Sequence, residues 1–243
     1  MKSVYKIPQK IKCLTDERKR KSIPLFNIVM PVLLFLMLQY ESFHTIFSAP
    51  ESMSKRLKNC ISGRIPKVDA VRDLLSRINP DEIRSIHEEM IDIIKRNRVF
   101  REGTIGGYVV AGLDGVELFS STKKSCPNCL SRKKHTGETE YFYRSVVCMI
   151  IGKSPHVILG QEMLKPRDGS GKDEGELTGG KRLIEQLKKR HGHFADVIVA
   201  DALYLNAPFI NILKENGLEG VIRLKDERRM IFQDAERLFK QDE

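Results

Sequence analysis

The 243-residue sequence has no apolar run long enough to cross a bilayer. The strongest candidate, Leu25 to Leu38, spans 14 residues and is interrupted by Asn27 and Pro31, whereas a transmembrane helix needs roughly 20. Arg18-Lys-Arg-Lys21 precedes it, but the run starts too far into the chain, behind too long a basic region, for a secretory signal. We read it as a buried helix, with no membrane as partner. Five cysteines, an odd number, without a clear secretory signal fit a reducing cytoplasm. The glycine-rich stretch 169–180 lacks G-x-x-x-x-G-K-[ST], which argues against an ATP-binding loop. Nucleophile-elbow and kinase signatures are also missing. The six histidines do not cluster; His191-Gly-His193 ends a helix, where favourable charge placement accounts for it. No internal repeat is present.

What is there is charge, unevenly spread. The net charge is +10, from 42 Lys and Arg against 32 Asp and Glu. Residues 1–101 hold 20 basic and 11 acidic residues, a net of +9, and residues 102–243 hold 22 and 21, a net of +1. A basic helical module over 1–101 joined to a nearly neutral domain over 102–243 suits a polyanionic substrate such as nucleic acid. Apolar residues at 41% suffice for a sizeable core.

Residues 1–24 are polar and basic and read as loosely ordered, and 25–47 as a helix. Val71, Leu74, Leu75 and Ile78 share a helical face. Asn79-Pro80-Asp-Glu82 then gives a cap, a first-turn proline and a glutamate three residues on. Ile83, Ile86, Met90, Ile93 and Ile94 continue the apolar stripe to a basic end, Lys95-Arg96-Asn97-Arg98. From about 104 the pattern turns to strands: 107–113, 141–151, 156–164, 196–200 and 220–224. Helices are predicted at 177–190, stopped by His191-Gly192, and at 206–216. Hairpin-length links make the second and third strands antiparallel; the later crossovers should be right-handed. The sum is a mixed α/β sheet.

Two strands end on a carboxylate: Tyr108-Val-Val-Ala-Gly-Leu-Asp114 and Asp196-Val-Ile-Val-Ala-Asp201. A charge there needs water, a cation or a hydrogen bond. Side by side, the two would suit a hard divalent cation; singly, the alternative is that each caps a loop. Asp168, Asp173, Glu174 and Glu176 read as solvated charges of a flexible surface loop.

Ala111-Gly-Leu-Asp114-Gly-Val-Glu-Leu-Phe119, Ser125-Cys-Pro-Asn-Cys-Leu-Ser-Arg132, Val199-Ala-Asp201-Ala-Leu-Tyr204 with Ala207-Pro-Phe209, and Val221-Ile-Arg-Leu-Lys225 together resemble the DDE transposases of bacterial insertion sequences. Ile65-Pro-Lys-Val-Asp69 and the helices after it fit the same family, so the resemblance covers about 55–243. It implies a ribonuclease-H-like fold in which the first and fourth strands lie side by side. Asp114 and Asp201 then match the first two catalytic and metal-binding acids. It also implies Mg²⁺, for which Mn²⁺ substitutes, and DNA as partner, both transposon ends and target. Two such ions roughly 3.5–4 Å apart clamp the attacking and leaving oxygens of a phosphoryl displacement. The family's third acid, a glutamate on a later helix, finds no match before Glu243, so the resemblance points to a truncated copy that does not cut, prone to self-association. The rival reading is a non-catalytic protein that binds DNA or a full-length transposase.

Cys126-Pro-Asn-Cys129 offers two ligands for a structural Zn²⁺, with His135 or Cys148 as completing donors. No second pair of that spacing lies nearby, and a tight turn bearing two free thiols is the favoured reading.

Overall fold

The structure is a computed structural model. It describes residues 5–39, 55, 59, 61, 65–102, 104–152, 154–167, 171–225 and 230–241; the expected helix beyond residue 39 and Asp168 lie outside them. The chain forms two compact units, Met1–Ile93 and Ile94–Glu243. Among the described residues no helix is long and apolar enough to cross a membrane.

In the first unit, α1 (Ile7–Lys12), α2 (Phe26–Met37), α3 (Val68–Leu75) and most of α4 (Pro80–Arg96) surround one core. Ile7, Ile11, Leu14, Leu25, Ile28, Val32, Val71 and Leu74 fill it. The expectation of a loosely ordered start is therefore corrected. Ile7 and Ile11 sit one turn apart, so a helix barely longer than one turn buries both; so short a periodicity is hidden among lysines. Arg18 belongs to the structure too. Only 4% exposed, it donates to both carboxylate oxygens of Asp16 at 2.9 and 2.7 Å and to the Ile23 carbonyl at 2.7 Å. The helix start at Asn79 is as read: its side-chain oxygen accepts the Asp81 N–H at 2.9 Å. Leu75 and Ile83, assigned to the buried stripe, are exposed.

The second unit is an α/β fold, a mixed sheet with flanking helices. Beyond the short α5 (Val99–Glu102) come β1 (Val110–Ser121), β2 (Leu130–Lys133), β3 (Thr139–Ile151) and β4 (Val157–Met163). Then follow α6 (Glu176–His191), β5 (Val197–Ala200), α7 (Ala207–Glu215), β6 (Glu219–Ile222) and α8 (Met230–Gln241). The strands run β2-β3-β1-β5-β6, with β4 also on β3. β3 carries antiparallel β1 on one edge; on the other, Thr139–Phe142 pairs with β2 and Ser145–Ile150 with β4. β5 lies parallel to both β1 and β6. β2 was absent from the strand reading, because Leu130-Ser-Arg-Lys133 offers one buried apolar residue and three exposed polar ones.

α6 covers the sheet with Leu183, Ile184 and Leu187. It comes close because Gly160 of β4 has no side chain: a Cβ there would stand 3.1 Å from Leu187 and 3.4 Å from Leu183. Gly192, at φ 63°, ends the helix, a conformation cheap only for glycine. α7 is capped by Asn206, which accepts the Phe209 N–H at 3.0 Å, and its Phe209 and Leu213 are buried.

The segment leading into α6 is held by an ion network rather than solvated. Glu174 is 5% and Glu162 9% exposed. Arg182 donates to Glu162 at 2.7 Å, to both oxygens of Glu174 and to the Met163 carbonyl at 3.1 Å. Glu174 also accepts the Lys165 N–H at 2.8 Å. Asp173 accepts the Ser131 N–H at 2.6 Å. The expectation of free loop charges is thus corrected for Asp173 and Glu174, whose partners lie on other elements: Ser131 on β2, Arg182 on α6 and Lys165 just past β4. Replacing Arg182 by Met leaves two buried carboxylates without their cation, and should lower stability by about 3 kcal/mol. Replacing Lys240, whose pair with Glu236 is on an exposed helix face, should change it by less than about 0.5 kcal/mol. Urea unfolding of the two variants tests the contrast.

Candidate active site

The geometry of the site follows from the register of β1 and β5. Their last parallel partners are Leu113 and Ala200. Asp114 and Asp201 are the next residues of two adjacent strands running the same way, so the sheet places them side by side. Both are exposed. One expectation needs correction: Asp114 does not end its strand. β1 continues to Ser121, because β3 pairs with it as far as Ser121↔Tyr141. What ends at Asp114 is the pairing with β5, and with it the burial of β1, whose residues change from buried Leu113 to exposed Asp114.

Each aspartate also makes a local bond. Asp114 accepts the Gly115 N–H at 2.8 Å. Asp201 accepts the Leu203 N–H at 3.0 Å and so caps the 3-10 turn Ala202–Tyr204. In each case only one carboxylate oxygen, Oδ1, is engaged by these bonds.

A third carboxylate stands beside them that the sequence reading placed in solvent. Glu176 opens α6, and its side chain is 14% exposed. Its carboxyl group packs on the backbone of Gly115, in space that any Cβ at that position would occupy. Burial raises its pKa above the ordinary glutamate value; Arg144 opposes this, and the charges of Asp114 and Asp201 add to it. Arg144 of β3 donates to Glu176 at 2.8 Å. The signal available in the sequence was Gly115, a glycine inside a strand, which marks a close approach.

Tyr204 completes the surroundings. It is fully buried, and its hydroxyl has no hydrogen-bond partner. Burial raises its pKa far above the tyrosine norm, and the charges of Glu176, Asp114 and Asp201 raise it further. The ring fits because residue 180 of α6 is glycine: a Cβ there would stand 2.8 Å from Tyr204 Cε1.

The donor chemistry fits a hard divalent cation. Aspartates are compact anionic oxygen ligands. Among the described residues no group of three His, Cys, Asp or Glu is already gathered to hold a metal ion. Neither the protein-family models nor the curated proteins compared with the chain match it.

Cys126 and Cys129 lie in a tight turn closed by the Cys129 N–H to Cys126 carbonyl bond at 3.1 Å, with their sulfurs 3.2 Å apart. No third described His, Cys, Asp or Glu joins them. The Tyr143 hydroxyl bonds the Cys126 sulfur and, with Cys129, lowers its pKa; burial pushes the Cys148 thiol up to about 12. Thiolate is the reactive form. Cys126 should therefore be alkylated by iodoacetamide at neutral pH far faster than Cys148. Tyr143→Phe should slow it severalfold, as read by mass spectrometry of the modified peptides.

Proposed function

We propose that this chain carries the ribonuclease-H-like core of a DDE-class transposase, a class of proteins that cut and join DNA strands with divalent metal. The observation that carries this reading is the register that makes Asp114 and Asp201 neighbours. The strand order supports it. An antiparallel trio, β1, β3 and β4, is extended on the β1 edge by parallel β5 and β6. The adjacency of β1 and β5 agrees with the side-by-side first and fourth strands that the resemblance implies.

In this mechanism Asp114 and Asp201 would hold Mg²⁺, or Mn²⁺ in its place, and the metal would supply charge neutralisation for a displacement at phosphorus. The protein's part is positioning. The open side of β1 leaves both aspartates exposed to a large substrate. The basic residues of 1–101 supply attraction to the DNA backbone. A non-catalytic DNA-binding protein is the second reading, favoured by the charge excess in 1–101 and by the lack of a gathered three-donor group among the described residues. Exposed Met230, Ile231, Leu238 and Phe239 on α8 support self-association on either reading.

Asp114→Asn and Asp201→Asn should each abolish Mn²⁺ binding in calorimetry while leaving DNA affinity in filter binding within about twofold, since phosphate neutralisation supplies most of that affinity. Mn²⁺ affinity that neither substitution changes would refute the catalytic reading.

Lys19, Arg20 and Lys21 are exposed, unlike Arg18. Replacing all three with alanine should weaken DNA binding equally on unrelated sequences. It should also flatten the dependence of log affinity on log salt by about 0.9 for each DNA phosphate that is no longer neutralised. An unchanged slope would show that this segment does not touch DNA.

A further inference from the structure

We propose that Cys126 and Cys129 form a reversible dithiol–disulfide site that exchanges with small disulfides of the glutathione type, with Cys126 as the attacking thiol and Cys129 as the resolving one. The site stands apart from the proposed function, since neither Asp114 nor Asp201 takes part.

Three features of the turn carry this. The first is proximity. Both cysteines are free thiols and half-buried, and their sulfurs are 3.2 Å apart, already in contact. A disulfide needs about 2 Å, so little movement separates the two thiols from a bond. The backbone holds them there. The Cys129 N–H donates to the Cys126 carbonyl at 3.1 Å, and buried Leu130 anchors the next residue at the start of β2. At the β1 end, Ser121 Oγ accepts the N–H groups of Lys123 and Lys124 at 3.1 and 3.0 Å. The ordering that the reaction requires is thus largely in place before it starts.

The second is activation. Tyr143 of β3 bonds the Cys126 sulfur. That bond pushes the tyrosine pKa up and holds the Cys126 pKa down, so the proton stays on the phenol and the sulfur takes the charge. Thiolate is the attacking form. The turn joins two strands and lies at no helix N-terminus; a phenol, the Cys129 thiol and the N–H groups of Asn128 and Cys129 stabilise the sulfur charge instead.

The third is access. Lys123 and Lys124, just ahead of the pair, are exposed and favour a disulfide that carries carboxylates. Cys148 is the contrast: it is buried with its thiol held protonated, closed to the same reagent.

The exchange has two steps. The Cys126 thiolate attacks one sulfur of the small disulfide. A mixed disulfide forms, the small disulfide's own bond breaks, and one thiolate leaves and takes a proton from water. Cys129 then gives its proton to solvent and attacks the Cys126 sulfur, and the second small thiolate leaves and is protonated in turn. The two protein thiols lose two electrons and two protons, and the small disulfide gains both. Excess small thiol runs the steps backwards. Oxidation removes the thiolate that Tyr143 bonds, on the strand that pairs with both β1 and β2.

The test incubates the full chain with glutathione disulfide at neutral pH, blocks the remaining thiols with N-ethylmaleimide, and follows the tryptic peptide Ser125–Arg132, which holds both cysteines, by mass spectrometry. In the wild type this peptide should lose two hydrogens, and dithiothreitol should restore them. Cys129→Ser should stop at the mixed disulfide on Cys126, about tenfold more abundant than in the wild type, because the resolving thiol normally waits in contact. Cys126→Ser should form its mixed disulfide severalfold more slowly. Tyr143→Phe should slow the first attack severalfold and leave the final disulfide unchanged. A wild-type peptide that stays reduced, or ends as mixed disulfides without the internal bond, overturns the inference, and that result needs no variant to fold. Equal rates of attack in Cys126→Ser and Cys129→Ser would overturn the assigned order.

Discussion

The short parallel ladder between β1 and β5 is the constraint on which the rest of the second unit depends. It has only four register pairs, from Val110↔Val197 to Leu113↔Ala200. Where it stops, two adjacent strands present a carboxylate at the same level. β3 keeps β1 extended well past that point, so Asp114 is fixed by a continuous ladder on one side and open on the other. Asp201 is fixed differently, by the turn it caps. A slip of one residue would move Asp114 to the opposite face of the sheet. The buried alternation of Ala111, Leu113, Ile198 and Ala200 opposes such a slip, because it would exchange core side chains for solvent-facing ones. Core packing and site geometry are thus one condition.

Much of this was legible in the residues. The apolar runs ending at Asp114 and Asp201 marked the two strands. The Asn79-Pro80 signal placed the start of α4, and His191-Gly192 its counterpart at the end of α6. Three things were hidden, each for a physical reason. α1 is too short to show a period among its lysines. β2 is an edge strand with one inward residue, and its identity comes from pairing with β3 rather than from its own composition. The acidic run before α6 looks solvated because its partners, Arg144, Arg182 and the backbone of Ser131 and Lys165, come from distant or separately folded segments. Composition reports how polar a segment is, not which polar groups meet it in the fold.

That hidden run shows how one short segment builds both scaffold and chemistry. Glu174 and Glu176 are two residues apart, and both are largely withdrawn from water. Burial alone raises a carboxyl pKa. At Glu174 the hydrogen bonds from Arg182 and the Lys165 N–H overrule burial, and the pKa falls below the ordinary value. Its folded form prefers the charged state, so it stabilises the fold above the usual glutamate range, and that contribution is lost as pH falls through its lowered folded pKa. At Glu176 one arginine does not outweigh burial and two neighbouring aspartates, and the pKa rises. Its folded form disfavours the charge, so its ionisation weakens the fold as pH rises through the ordinary range. A carboxylate that the fold satisfies is a structural member. At Glu176 the single bonded arginine leaves burial and two aspartates the larger effect, so the same residue type two positions on is held against its charge.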